Sequence, residues 1–284
     1  MTDLLVKNCL LSKNKNPQDI LINGGVIKDI ASKITADNIP TIDADFHFVT
    51  PPFVDSHFHM DATLSYGLPR VNKSGTLLEG IKLWGELKPN LTADAIKERA
   101  LKVGKWAIAR GTLAIRSHVD VSGQNLVGVE ALLDVRETMK DFIDIQLVAF
   151  PQDGLLRANC LDNLNTALDM GVDVVGGIPH FERTMEEGHE SIRILCEIAE
   201  KRGLLTDLHC DETDDPMSRH VEKLALETTR LGLKGRVAGS HLTSMHSIDN
   251  YYFTKLISLL VEADLNIIAN PLINITIQGR QDNY

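Results

Sequence analysis

From residue 92 onward the chain repeats one hydrophobic pattern: a run with helical spacing, a glycine at its end, then a short apolar and β-branched run. In "LTADAIKERALKVGKWAIARG" Thr92 is placed to cap a helix N-terminus and Gly111 falls just past its end, after which "TLAIRSHV" reads as a strand. The same alternation follows in "NLVGVEALLDVRETMKD" then "FIDIQLVAF", and in "LDNLNTALDMG" then "VDVVGGIP". It continues in "GHESIRILCEIAEKRG" then "LLTDLHCD", "PMSRHVEKLALETTRLGLKG" then "RVAGSHL", and "YYFTKLISLLVEAD" then "LNIIANP". With a further strand at 53–59, this predicts seven strands that are apolar nearly throughout, as parallel strands buried on both faces are. The fold class is α/β, and an eight-stranded (β/α)8 TIM-type barrel is its natural closed form.

Residues 1–50 break this rhythm. "LLVKNCLLS", "DILINGGVIKDIAS" and "TIDADFHFVT" read as short strands joined by Asn-Gly and Gly-Gly turns without intervening helices, so 1–50 is expected to be a small β layer and 51–284 one barrel domain. The 284 residues, 43% hydrophobic and 24% charged, are ordinary globular chemistry with ample material for a core. A formal net charge of -10 offers no basic face to a phosphate backbone, which argues against nucleic acid and for a small-molecule substrate. No apolar run reaches the roughly 18 residues a membrane span needs, and "MTDLLVKNCLLSKNKN" has no signal-peptide pattern, so no membrane association and a cytoplasmic location are expected. Cys9, Cys160, Cys196 and Cys210 are scattered without CxxC spacing, which indicates neither a disulfide framework nor a cysteine-rich zinc site.

The chemistry collects where the strands end, the place at which parallel barrels build their sites. Strand one carries His57 and His59, whose spacing puts both side chains on one face of an extended segment. Alone that pair is weak, since one imidazole can be packed and the other solvated. Strand two ends in His118 and Asp120, strand three runs into "AFPQDG" with Gln152, and strand five closes in "HCDE" with His209 and Glu212. Strand six ends in His241 and strand seven in Asn270. His57, His59 and His209 together have the donor set of a mononuclear zinc or iron site. Glu212, three residues past His209, sits where a proton shuttle belongs, although an exposed acid among Asp211, Asp214 and Asp215 is the alternative. Cys210 is expected to pack. His118 with Asp120 is read as a buried hydrogen-bonded pair, His180 as a loop residue and His246 as a surface residue.

The blocks "PPFVDSHFHMD", "SGTLLEGI", "RSHVDVS", "VAFPQDG", "VVGGIPHFE", "HCDETDD", "SHLTSMHS" and "NPLINI…QGRQDNY" resemble those of the bacterial cytosine deaminases of the amidohydrolase superfamily. The likeness runs from about residue 50 to the end, with a weaker β-sandwich likeness before it. It implies one divalent metal ion per subunit, iron or zinc, held by His57, His59 and His209, with His241 helping to activate the hydrolytic water and Glu212 carrying protons. Gln152 would read the carbonyl and ring-nitrogen edge of a pyrimidine, and Leu77 and Phe150 would line its pocket. The implied reaction is cytosine plus water to uracil and ammonia, in a homo-oligomer. The His-x-Glu and Pro-Cys-x-x-Cys signature of deaminases acting on bases within nucleic acids is absent, which favours a free base. Strand four ends in "GGIPHFE" without the lysine that bridges two metals in many relatives, so one metal is expected. The resemblance also implies an eighth strand with a ligating aspartate, which would lie beyond Tyr284. An open barrel is therefore expected, and with it two alternatives: a related enzyme for creatinine, isocytosine or triazines, or a non-catalytic fragment.

Overall fold

The computed structural model describes residues 3–278, so the end of the "QGRQDNY" block lies outside the described residues. The chain divides into two units, Met1–Pro52 and Phe53–Tyr284.

The first unit is a four-stranded sheet of β1 (Leu4–Cys9), β2 (Gln18–Asn23), β3 (Val26–Ala31) and β4 (Thr41–Asp43), in the order β3-β2-β1-β4. The β1/β2 and β2/β3 pairs are antiparallel and β1/β4 is parallel. Gly24 and Gly25 turn the β2–β3 hairpin at φ of 60° and 79°, the doubly left-handed turn that matches strand twist and that only residues such as glycine adopt cheaply.

In the second unit all seven anticipated strands form, paired in parallel and in sequence order: β5 (Phe53–Phe58), β6 (Thr112–Asp120), β7 (Asp144–Phe150), β8 (Val174–Gly177), β9 (Leu205–Cys210), β10 (Val237–His241) and β11 (Asn266–Ile268). The sheet rolls up: His57 Nδ1 on β5 lies 3.1 Å from Ser240 Oγ on β10, across the interior and not along the ladder. The result is a nearly closed barrel with β5 and β11 as its edges among the described residues.

Helices α1 (Leu77–Leu87) and α2 (Ala93–Ala109) follow β5, and α3 (Val127–Met139) follows β6. Then come α4 (Cys160–Asp169), α5 (Met185–Arg202), α6 (His220–Arg230), α7 (Asn250–Glu262) and α8 (Pro271–Ile277). Thr92 caps α2 by accepting from the Ala95 N–H, and Gly111, at φ 84°, lets the chain reverse into β6. The core fills the layer between helices and sheet with Leu132, Leu147, Leu164, Leu195 and Leu208, all fully buried. Helix α5 lies so close to β8 that a Cβ at Gly177 would stand 2.4 Å from Leu195 Cδ1. All four cysteines are buried and unpaired. No described helix is long and apolar enough to cross a membrane.

Candidate active site

The C-terminal ends of the strands carry a cluster of imidazoles. His57, His59, His118 and His209 each offer a ring nitrogen, and these nitrogens all lie within 4.8 Å of one another. His59 Nε2 and His209 Nε2 are 3.1 Å apart, and His57 Nε2 stands 3.2 Å from His241 Nε2. Two nitrogens bound at about 2.1 Å to one ion are separated by roughly 3.0–3.4 Å for angles between square and tetrahedral, so the His59–His209 pair already has the spacing of neighbouring ligands. Burial first, then the mutual repulsion of the rings, pushes His57, His59 and His209 far below the ordinary imidazole value. They are therefore neutral, the form that binds a metal. Both nitrogens of His118 are buried beside these rings without a hydrogen-bond partner among the described residues, so His118 too has a lone pair to offer an ion. The residues fit a divalent metal.

His118 corrects the expectation drawn from its neighbour in sequence. It does not pair with Asp120, because residues two apart on β6 reach different partners here: His118 turns into the imidazole cluster, its ring 4.5 Å from that of His209. Asp120 instead accepts from Trp84 Nε1 at 2.6 Å and Lys88 Nζ at 3.3 Å.

Beside the imidazoles, Glu212 is buried, not the exposed loop acid its acidic neighbours suggested. Its Oε1 lies 3.1 Å from His241 Nδ1. Desolvation pushes its carboxyl up to about 8, only partly offset by Asn274, whose Nδ2 lies 3.4 Å from Oε1. Burial holds His241 down to about 3. The turn that carries Glu212 is anchored by its neighbour. Asp211, at φ 51°, accepts hydrogen bonds from Ser218 Oγ and from the backbone N–H groups of His220 and Val221, which start α6. Cys210 is buried and packs in the core cluster.

A cavity of about 580 Å³ opens over this cluster, lined by His57, His59, His209, Glu212 and His241 together with Gln152, and walled by Leu77, Ile81 and Trp84 of α1. Leu77 is the first residue of α1, set by Thr76, whose side chain accepts from the Glu79 N–H. Phe150 is placed differently from the expectation. As the last residue of β7 it is fully buried and stacks on the His209 ring at 4.1 Å, so it backs the imidazoles and does not line the cavity. His180 sits in a short 3-10 turn, Pro179–Phe181, and burial lowers it to about 4. His246 is exposed. Asn274 of α8 was not anticipated at all, yet its side chain lies 2.9 Å from His241 Nδ1 and touches Glu212. Asn270, the residue before α8, reaches His241 Nδ1 at 3.4 Å.

A parallel barrel that gathers neutral imidazoles and a raised carboxyl at the C-terminal ends of its strands is built as a metal-assisted hydrolase. The chain belongs to the amidohydrolase family, whose model matches residues 40–284. It is 32% identical over 280 residues to N-isopropylammelide isopropyl amidohydrolase of Pseudomonas sp. (strain ADP), covering 94% of this chain and 68% of that protein. It is 29% identical to pterin deaminase of Rhizobium rhizogenes, covering 92% of this chain and 60% of that protein. Among solved structures, 5-methylcytosine deaminase from Klebsiella pneumoniae liganded with phosphonocytosine superposes with a TM-score of 0.94 at 39% identity, over 99% of this chain and 69% of that one.

Proposed function

We propose that the chain carries the active site of a hydrolytic deaminase of amino-heterocycles, with cytosine or a 5-substituted cytosine as substrate and uracil or its counterpart and ammonia as products. The observation that carries this reading is Glu212, a buried carboxyl raised to about 8 and set against His241 in the same cavity as the imidazole cluster. Deamination needs one group that accepts a proton from water and returns it to the ring and to the leaving amine, and such a group works best with a pKa near the working pH.

In this reading His57, His59 and His209 hold one iron or zinc ion, a choice that suits imidazole donors. When bound, such an ion lowers the pKa of water towards neutrality. Glu212 takes the proton of the attacking water and passes it to the ring nitrogen beside the amino-bearing carbon. A second transfer through Glu212 protonates the amine, so the C–N bond breaks with ammonia leaving. His241, neutral and held by Asn274, steadies the water and the Glu212 carboxyl. Gln152 can donate to a ring carbonyl and accept from a ring N–H, and so reads the edge that distinguishes cytosine from its analogues. The cavity of about 580 Å³, walled in part by Leu77 and Ile81, is large enough for a pyrimidine with a ring substituent.

The test is ammonia release by zinc- and iron-loaded protein from cytosine, 5-methylcytosine, isocytosine, creatinine, pterin and N-isopropylammelide, compared by kcat/KM. A preference for the two cytosines supports the reading. Turnover confined to another of these compounds rejects the pyrimidine assignment while keeping the reaction class.

A further inference from the structure

Beneath the imidazoles the barrel holds a charged chain that the proposed reaction does not use. Asp207 of β9 is fully buried. Its Oδ2 accepts from Arg116 Nη1 of β6 at 2.9 Å, and Arg116 is itself braced by its Nε, which donates to Gln146 Oε1 at 2.7 Å. Its other oxygen, Oδ1, accepts from Ser240 Oγ at 2.8 Å and lies 3.8 Å from His118 Nε2. Ser240 Oγ in turn lies 3.1 Å from His57 Nδ1.

The proton arithmetic of this chain has one solution. A carboxylate paired with Arg116 can only accept, so the Ser240 hydroxyl must spend its single proton on Asp207. Its oxygen is then left to accept, and His57 must supply an Nδ1–H. That selects one of the two neutral tautomers and leaves Nε2 as the atom with a free lone pair, the atom that faces the cluster 3.2 Å from His241 Nε2.

We infer that Asp207 is a positioning residue which, through Ser240, sets the tautomer and ring orientation of His57 for metal binding. It never touches substrate, and its carboxylate is the remote end of a carboxylate–hydroxyl–imidazole chain of the kind that raises ligand basicity. The inference rests on the reading that His57 ligates an ion, but not on the identity of the substrate.

Zinc affinity, measured by competition with a chelating dye in the absence of substrate, tests it. Ser240→Ala cuts the chain while leaving the Asp207–Arg116 pair intact. It is expected to fold with a metal-free melting temperature close to the parent and to bind zinc about 10- to 100-fold more weakly. Asp207→Asn is expected to weaken zinc in the same direction. Because it also leaves Arg116 without its counter-charge, Ser240→Ala is the decisive variant. Imidazole nitrogen NMR of the metal-free protein supplies a readout that general loosening would not move: His57 is the Nδ1–H tautomer in the parent and a mixture in Ser240→Ala. Folded Ser240→Ala with zinc affinity within twofold of the parent and an unchanged His57 tautomer overturns the inference. Failure of ammonia release from any cytosine, with zinc affinity still dependent on Ser240, rejects the substrate reading instead.

Discussion

Glu212 concentrates what single residues contribute. Glu212→Gln keeps shape and the hydrogen bond from Asn274 but cannot shuttle a proton, so it is expected to retain zinc and to lose about 10²–10⁴-fold in ammonia release. A near-normal rate would show that another group moves the protons. The same variant reads out the raised carboxyl in the metal-free fold. A carboxyl near 8 in the folded state and near 4.5 unfolded stabilises the fold fully below the lower value and loses that contribution as pH rises to the higher one. The melting temperature of the parent is therefore expected to fall relative to Glu212→Gln between about pH 4.5 and 8, with the shared histidine contributions cancelling in the difference. Parallel curves would mean that Glu212 is ionised throughout. Gln152→Ala is expected to lower kcat/KM for cytosine and to narrow its advantage over analogues lacking the ring carbonyl. Unchanged cytosine kinetics would make Gln152 structural. The gathering of His57, His59, His209, Glu212 and His241 at one end of the barrel was legible because each lies at or just past the end of a strand that could be read from the hydrophobic pattern. His118 was misjudged because a local partner, Asp120, offered a simpler account than a distant cluster. Asn274 left no local trace, since only the folded barrel brings it to Glu212 and His241.

Among the elements, α1 forms one wall of the cavity. It is tied to the barrel through Trp84 Nε1 and Lys88 Nζ, both reaching Asp120 Oδ2, and Lys88 also reaches Asp153 at 2.6 Å. Trp84→Phe removes one of these ties without emptying the space. It is expected to cost about 1 kcal/mol, to speed amide exchange in α1 while the strands stay protected, and to raise KM more than it lowers kcat. Equal exchange in both proteins would show that α1 is held by packing alone. The helices α2 to α7 were readable from period and caps, as with Thr92 and Gly111. Helix α1 was not, because Gly67, Pro69, Gly75, Gly80 and Gly85 interrupt its neighbourhood and its own interior. The seven-residue α8 was not read either, because it is short and opens on a proline just after the strand.

For the molecule as a whole, the parallel barrel followed from repetition alone, whereas its manner of rolling up did not, because period says nothing about which strands meet across the interior. The four cysteines should be silent to Ellman's reagent in the native state and react together on unfolding. Burial raises Cys196 to about 12, and the thiolate is the reactive form. Early reaction of any thiol would reveal local opening. The bridge from His57 to β10 joins residues 183 apart in sequence, and His59 meets His209 across 150. An unfolded chain can therefore offer at most a neighbouring pair of these imidazoles, and the complete donor set comes into being only when β5 meets β9 across the barrel interior. Occupancy of the centre is thus a clock for the last stage of folding: zinc should be captured after the helices have formed, and afterwards it should act as a clasp. Holding it at 100 times its Kd would add about 2.7 kcal/mol to stability, so that a chelator is expected to lower the melting temperature and to loosen first the contacts of His57 and His59 with β10 and with His209.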